Sequence, residues 1–129
     1  MKHLAIFQGN AITDILSGKK AIEGRFSQIK IAPYGKVSAG DMVMMKSPGG
    51  PLVGEFVVDR VLYFDHPKKE EAEEIKRKYK SGLKLDEDFW WKKEKICYAS
   101  LIFIRQASRY LTPPTIVKKR DLRGWVVLG

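Results

Sequence analysis

Cysteine is nearly absent from this chain, with Cys97 the one thiol among 129 residues. It cannot close an internal disulfide, and its place in the apolar run 96–104 predicts a small buried hydrophobe. Histidine is as sparse, with only His3 and His66. No zinc-ligand spacing can be drawn from this set, and no Ser/His/Asp arrangement can be assembled around either histidine, so neither a metal nor a cofactor is expected. No apolar run reaches the ~18 residues that would read as a membrane span. The segment 1–8 is too short, and turns polar too soon, for a signal peptide. A soluble, cytoplasmic protein with no membrane contact is expected. Low-complexity tracts are also missing, so the length points to a single domain over residues 1–129. Gly49-Gly50 is not followed by Gly-Lys-Ser/Thr, which excludes a phosphate loop there.

What the chain does have is charge, unevenly placed. It is 44% hydrophobic and 30% charged, as a globular protein should be, and its net charge is +9. Residues 95–129 carry seven basic side chains and one acidic one, whereas residues 61–94 are balanced. A basic excess concentrated towards one end favours a polyanionic partner, because neutralising phosphates releases counterions.

The hydropathy pattern gives a coarse layout. Residues 4–7 read as a short strand. Asn10 is placed to cap a helix running to Ser17, with Ile12, Ile15 and Leu16 on one face and Gly18 suited to the turn that ends it. Residues 20–25 read as extended, which puts Glu23 and Arg25 on the same side and within ion-pair reach. Ser38-Ala39-Gly40-Asp41 predicts a turn before a strand at 42–46. The loop 47–51 then makes a hairpin with a long strand at 52–64, bent at Gly54. Residues 67–80 predict a helix, acidic early and basic late as the helix dipole favours, with only Ala72, Ile75 and Tyr79 as an apolar stripe. A short helix or loop at 86–93, a strand at 95–105 and a last strand at 125–128 complete an α+β chain. Several strands in mostly antiparallel order, with two or three short peripheral helices, predict a small, partly open mixed β-barrel.

The most specific local signal is Gly18-Lys19-Lys20-Ala21-Ile22-Glu23-Gly24-Arg25. Two cations and a carboxylate converge there on a turn-to-strand junction, where Glu23 can hold Arg25 and leave Lys20 to meet a phosphate, a carboxylate or a polarised carbonyl. The run resembles the G-x-K-x-x-E-x-R signature of the ASCH family (activating signal cointegrator homology) in the PUA-like superfamily. Gly18, Lys20, Glu23 and Arg25 stand in its four fixed places, and Gly40-Asp41 resembles the G-D turn that follows in that family. The resemblance implies a PUA-like barrel with a cleft lined by the motif's Lys, Glu and Arg. It also implies a role in binding RNA or a modified nucleotide.

Two further groups can widen such a site. Phe89-Trp90-Trp91-Lys92-Lys93 sets aromatic rings beside cations, as stacking on unpaired bases requires. Lys118, Lys119 and Arg120 are candidates for phosphate contacts. The reading is therefore an RNA-binding or modified-nucleotide-binding module that acts as a monomer. Its candidate ligand residues are Gly18, Lys20, Glu23, Arg25, Trp90, Trp91, Lys118, Lys119 and Arg120. The alternative is a small amidohydrolase acting on an acylated nucleoside, as the resemblance extends to such enzymes. Lys20 would then be the base and Glu23 would orient water, since Glu23 stands where those enzymes place a Thr. Glu55 is the nearest conceivable downstream acid. A second alternative is a protein-interaction domain that docks through the helix 67–80.

Overall fold

The computed structural model describes residues 1–85, 96–114 and 124–129. Its elements follow one another as β1 (Lys2–Ile6), α1 (Ala11–Leu16), β2 (Ile22–Ser27), β3 (Met42–Lys46), β4 (Leu52–Asp65), α2 (Lys69–Leu83), β5 (Tyr98–Arg109) and β6 (Trp125–Val127). The six strands form one sheet in the order β2-β5-β4-β3-β1-β6. All pairings are antiparallel except β1 with β3. This is the α+β barrel architecture that the pattern predicts, with two helices among the described residues.

The sheet curls so that its two edge strands, β2 and β6, approach each other. The Arg25 guanidinium on β2 reaches the backbone carbonyls of Ile6, at the end of β1, and Gly124, at the start of β6. A side chain thus spans the seam that backbone ladder bonds leave open.

Strand alternation sorts the apolar residues into two cores. Ala5, Phe7, Val43, Met45, Phe56, Val58, Ile102 and Trp125 fill the barrel, and Ile12 and Ile15 of α1 plug one side of it. Ala99, Leu101 and Ile22, on the outer faces of β5 and β2, pack under Ala72, Ile75 and Leu83 of α2. Burial of these faces, worth about 25 cal/mol for every Å² taken from water, packs each helix against the sheet.

Several boundaries differ from the predicted ones for local reasons. The first strand begins earlier and ends at Ile6, because β3 and β6 extend its ladder on both sides. Asn10 occupies the cap position of α1 without a side-chain cap bond, and Gly18 takes a φ of +82° in the turn beyond the helix. The helix α2 runs on to Leu83 and stops at Lys84, whose φ is +50°. Register in β4 slips beside Gly54, where Val53 has no partner on β3, and again against β5 between Glu55 and Val57 and between Val58 and Arg60. Gly54 also allows close approach, since a Cβ there would sit 2.4 Å from the Ser108 carbonyl oxygen of β5. Cys97 is half-buried rather than fully enclosed. Residues 86–95 and 115–123, with the predicted helix or loop at 86–93, lie outside the described residues.

Candidate functional site

The motif folds into three different jobs. In β2 the alternation points Ile22, Gly24 and Phe26 towards α2, while Glu23 and Arg25 point into the barrel mouth. Gly24 is needed on the helix side: a Cβ there would lie 2.6 Å from the Phe26 ring and 2.9 Å from Leu83. This close approach brings the carboxy-terminal end of α2 against the start of β2, where Ala21 N–H donates to the Gly82 carbonyl.

Lys20 is 6% exposed, and its Nζ donates to the Leu83 carbonyl, one of the last oxygens of α2. Those oxygens have no partner within the helix and gather the negative end of its dipole, so a buried ammonium there is a capping group. Its second partner is Glu23 Oε1, at 3.4 Å. The predicted free Lys20 is therefore not what is found: the helix terminus and the carboxylate occupy it.

Glu23, 7% exposed, stands between the two cations, and its other oxygen accepts from Arg25 Nε at 2.7 Å. That same-side ion pair is the one the spacing of residues 23 and 25 predicts. A buried carboxylate held by two cations meets the requirement that buried charge be paired and hydrogen-bonded.

Arg25 alone of the three turns outward. Beyond Glu23, its Nη2 donates to Ile6 O at 2.8 Å and its Nη1 to Gly124 O at 3.2 Å. Its guanidinium carbon lies 4.9 Å from the Phe7 ring centre and 5.2 Å from that of Trp125. Among the described residues three of the five guanidinium N–H donors find partners and two do not.

These two donors belong to a side chain that lines a groove of about 580 Å³ along the seam between β2 and β6. The described wall of the groove also holds Phe26, Tyr34, Lys36, Ser100 and Trp125, and it includes no carboxylate. The loop between β2 and β3 supplies Tyr34 and Lys36. Tyr63 of β4 fixes that loop by accepting from Val37 N–H and donating to the Val37 carbonyl, both at 2.7 Å. Tyr34 stacks edge-on against Tyr63 and Tyr98. The groove thus combines two cations, several rings and a volume within the usual range for small-ligand sites.

Behind the groove lies a polar group that sequence reasoning missed. His3, fully buried on β1, meets Asp41 Oδ2 through Nε2 at 2.8 Å and accepts at Nδ1 from the Trp125 indole N–H at 3.1 Å. His3 alternates with Ala5 and Phe7 in an inward-facing row, and that was the available signal: a buried polar side chain demands partners. Burial pushes the Asp41 carboxyl up. The bonds from His3 and from Ser38 N–H, together with the nearby amino-terminal ammonium, outweigh that push and hold it below the ordinary carboxylate range. A carboxyl depressed in the folded state stabilises the fold fully above its unfolded value of about 3.9, and that contribution disappears as pH falls through the lower folded value. Urea midpoints measured from about pH 6 down to 2.5 should therefore fall at the acid end, and Asp41→Asn should flatten that part of the curve. Parallel curves for the two proteins would contradict the assignment.

Glu55 and the solvent face of α2 stand apart from this site. Glu55 alternates out of phase with the core residues Phe56 and Val58, so it faces away from the barrel interior that holds Glu23. It acts there on Tyr110: burial first, then this carboxylate, pushes the phenol above its ordinary value, although the hydroxyl makes no bond of good geometry. The solvent face of α2 carries both signs and pairs within itself, with Arg77 on Glu74 at 2.5 Å. Trp90, Trp91, Lys118, Lys119 and Arg120 lie outside the described residues. Among the described residues no group of His, Cys, Asp and Glu is arranged to hold a metal, and no helix is long and apolar enough to cross a membrane.

No family model and no curated protein matches the sequence. Solved structures do match in shape. A Ser-to-Ala variant of an ASCH protein from Zymomonas mobilis aligns with a TM-score of 0.67 and 13% identity, over 99% of this chain and 88% of that one. The unsubstituted protein aligns with a TM-score of 0.63 and 13% identity, over 84% of this chain and 69% of its own. A hypothetical protein of known structure gives 0.52 and 18%, over 81% of this chain and 97% of that one. At these identities the likeness is one of fold, and it agrees with the residues that stand at positions 18, 20, 23 and 25: the chain has the fold of these ASCH proteins, a small α+β barrel.

Proposed function

We propose that the chain is an RNA-binding or nucleotide-binding module whose ligand seats in the groove between β2 and β6. The observation that carries this reading is Arg25. It is anchored by three bonds and two rings, two of its donors have no partner among the described residues, and it lies in a groove with Lys36 and no carboxylate among the described lining residues. A preorganised guanidinium suits a phosphate oxygen or the hydrogen-bonding edge of a base. Tyr34 offers ring surface for an unpaired base, and the groove is far too small for a duplex. The basic stretch that contains Lys118, Lys119 and Arg120 supplies the sequence's candidates for further phosphate contacts. The ASCH resemblance points the same way, by analogy of fold.

The amidohydrolase reading draws less support. It needs Lys20 at the substrate, whereas Lys20 caps α2 and position 23 has no hydroxyl.

Fluorescence anisotropy with a labelled single-stranded RNA of about ten nucleotides, at two salt concentrations, tests the proposal. Affinity is expected to fall steeply with salt, and Lys36→Ala is expected to reduce the log-log slope by about 0.7, the value of one phosphate contact on a single strand. Absence of binding at low salt, or binding indifferent to salt, would remove the RNA reading.

A further inference from the structure

His3, Asp41 and Trp125 are separated by 38 and 122 positions in sequence, yet they form one line behind the groove. The direction of its hydrogen bonds follows from chemistry. An indole nitrogen can only donate, so His3 Nδ1 accepts, and the ring proton on Nε2 goes to Asp41. The Ser38 amide holds the same carboxylate oxygen at 3.0 Å. Every member of the line is fixed by the one behind it, from Ser38 to Asp41, then His3, then Trp125.

The far end of the line is the groove. The Trp125 ring lies under the Arg25 guanidinium, which has Phe7 as its other aromatic neighbour. With its N–H tied inward to His3, the indole has a single orientation, and that orientation offers its π surface to the cation. An apolar pair at positions 3 and 41 would fill the barrel without the desolvation cost of a buried imidazole and carboxylate, so packing alone does not account for these residues.

We propose that His3 and Asp41 are positioning residues of the groove, which set the Arg25 guanidinium for its ligand through the orientation of Trp125. The proposal rests on the reading that Arg25 meets the ligand. Without the acceptor at His3 Nδ1, the buried indole N–H loses its partner and turns to seek another. A disturbed Trp125 therefore disturbs Arg25 through the ring beneath its guanidinium.

A double-mutant cycle separates positioning from general support of the fold. His3→Leu removes the acceptor for Trp125 and leaves Asp41 its bond from Ser38 N–H, and Trp125→Phe removes the indole N–H while keeping a ring under Arg25. Two quantities are read in each protein: the ¹H–¹⁵N resonance of Arg25 Nε, assigned through Arg25→Lys, and affinity for the labelled RNA of about ten nucleotides. In the wild-type background His3→Leu is expected to shift the Arg25 resonance and weaken binding roughly three- to tenfold. In the Trp125→Phe background it should do neither. Equal effects in both backgrounds, or an unmoved Arg25 resonance, would overturn the proposal. Should His3→Leu fail to fold, Asp41→Asn, which preserves the shape of the side chain, is put through the same cycle with the same expected outcomes. If no protein in the set binds RNA, the functional reading fails, and the Arg25 resonance alone decides whether positioning exists.

Discussion

Arg25→Lys is expected to weaken ligand binding by at least about tenfold and to cost about 2–3 kcal/mol of stability. The two losses have different origins. A lysine ammonium is a compact charge on a flexible stem, and it cannot reach Glu23 Oε2, Ile6 O and Gly124 O at once as the planar guanidinium does at 2.7, 2.8 and 3.2 Å. The seam between β1/β6 and β2 would lose its side-chain bridge, and Glu23 would keep only Lys20 as an ordered partner. The stability figure lies below the full cost of breaking a buried ion pair, because the Arg25 side chain is 20% exposed and Glu23 is not left unpaired. Urea denaturation gives the stability and anisotropy gives the affinity. A variant that unfolds at the wild-type midpoint and binds as the wild type does would mean that Arg25 neither closes the barrel nor meets the ligand.

Glu23→Ala is expected to be the costliest single change in the motif, at about 3–4 kcal/mol, because it strands two cations on a buried carboxylate's side of the barrel. Lys20→Met should cost less, about 1–2 kcal/mol. It keeps most of the stem, leaves the Leu83 carbonyl without its donor, and leaves Glu23 with Arg25. The ordering is the test of how the motif is divided, and thermal or urea unfolding of the two variants measures it. A Lys20→Met protein as stable as the wild type but unable to bind or turn over a nucleoside ligand would return Lys20 to the groove and revive the hydrolase reading. Loss of stability with retained binding fits a lysine that caps a helix.

The fold was legible where local chemistry decides structure. The turn at residues 38–41, the strand Met42–Lys46 and the loop at 47–51 follow from turn residues between apolar runs, and they stand where the pattern puts them. The same-side placement of Glu23 and Arg25 needs only the period of a strand. Legibility failed where a distant residue decides. The charge pattern ends this helix at Lys80, short of the Leu83 it reaches. Gly82 lies against Ile22, where a Cβ would meet its Cδ1 at 2.8 Å, so it is a packing glycine inside a longer helix. Lys20 could be identified as a motif residue, but its occupation by Leu83 depends on an approach of α2 that residues 18–25 do not encode. The line from Asp41 through His3 to Trp125 was invisible for the same reason, since its members meet only when the parallel β1–β3 pair and the β1–β6 pair have formed.

Two features of the groove share this origin. Its edges are β2 and β6, which come from opposite ends of the sheet, so no run of sequence marks it. Its cations come from different elements, Arg25 from a strand and Lys36 from a loop pinned by Tyr63. A charge tally therefore pointed to a polyanionic partner but not to a place on the surface.

The most direct test of the place is a titration of ¹⁵N-labelled protein with short single-stranded RNA, followed by ¹H–¹⁵N correlation spectra. Shifts concentrated on Arg25 Nε–H, the Trp125 indole N–H and the amides of Tyr34 and Lys36 are the predicted result. Shifts confined to the solvent face of α2, or no shifts at all, would contradict the account.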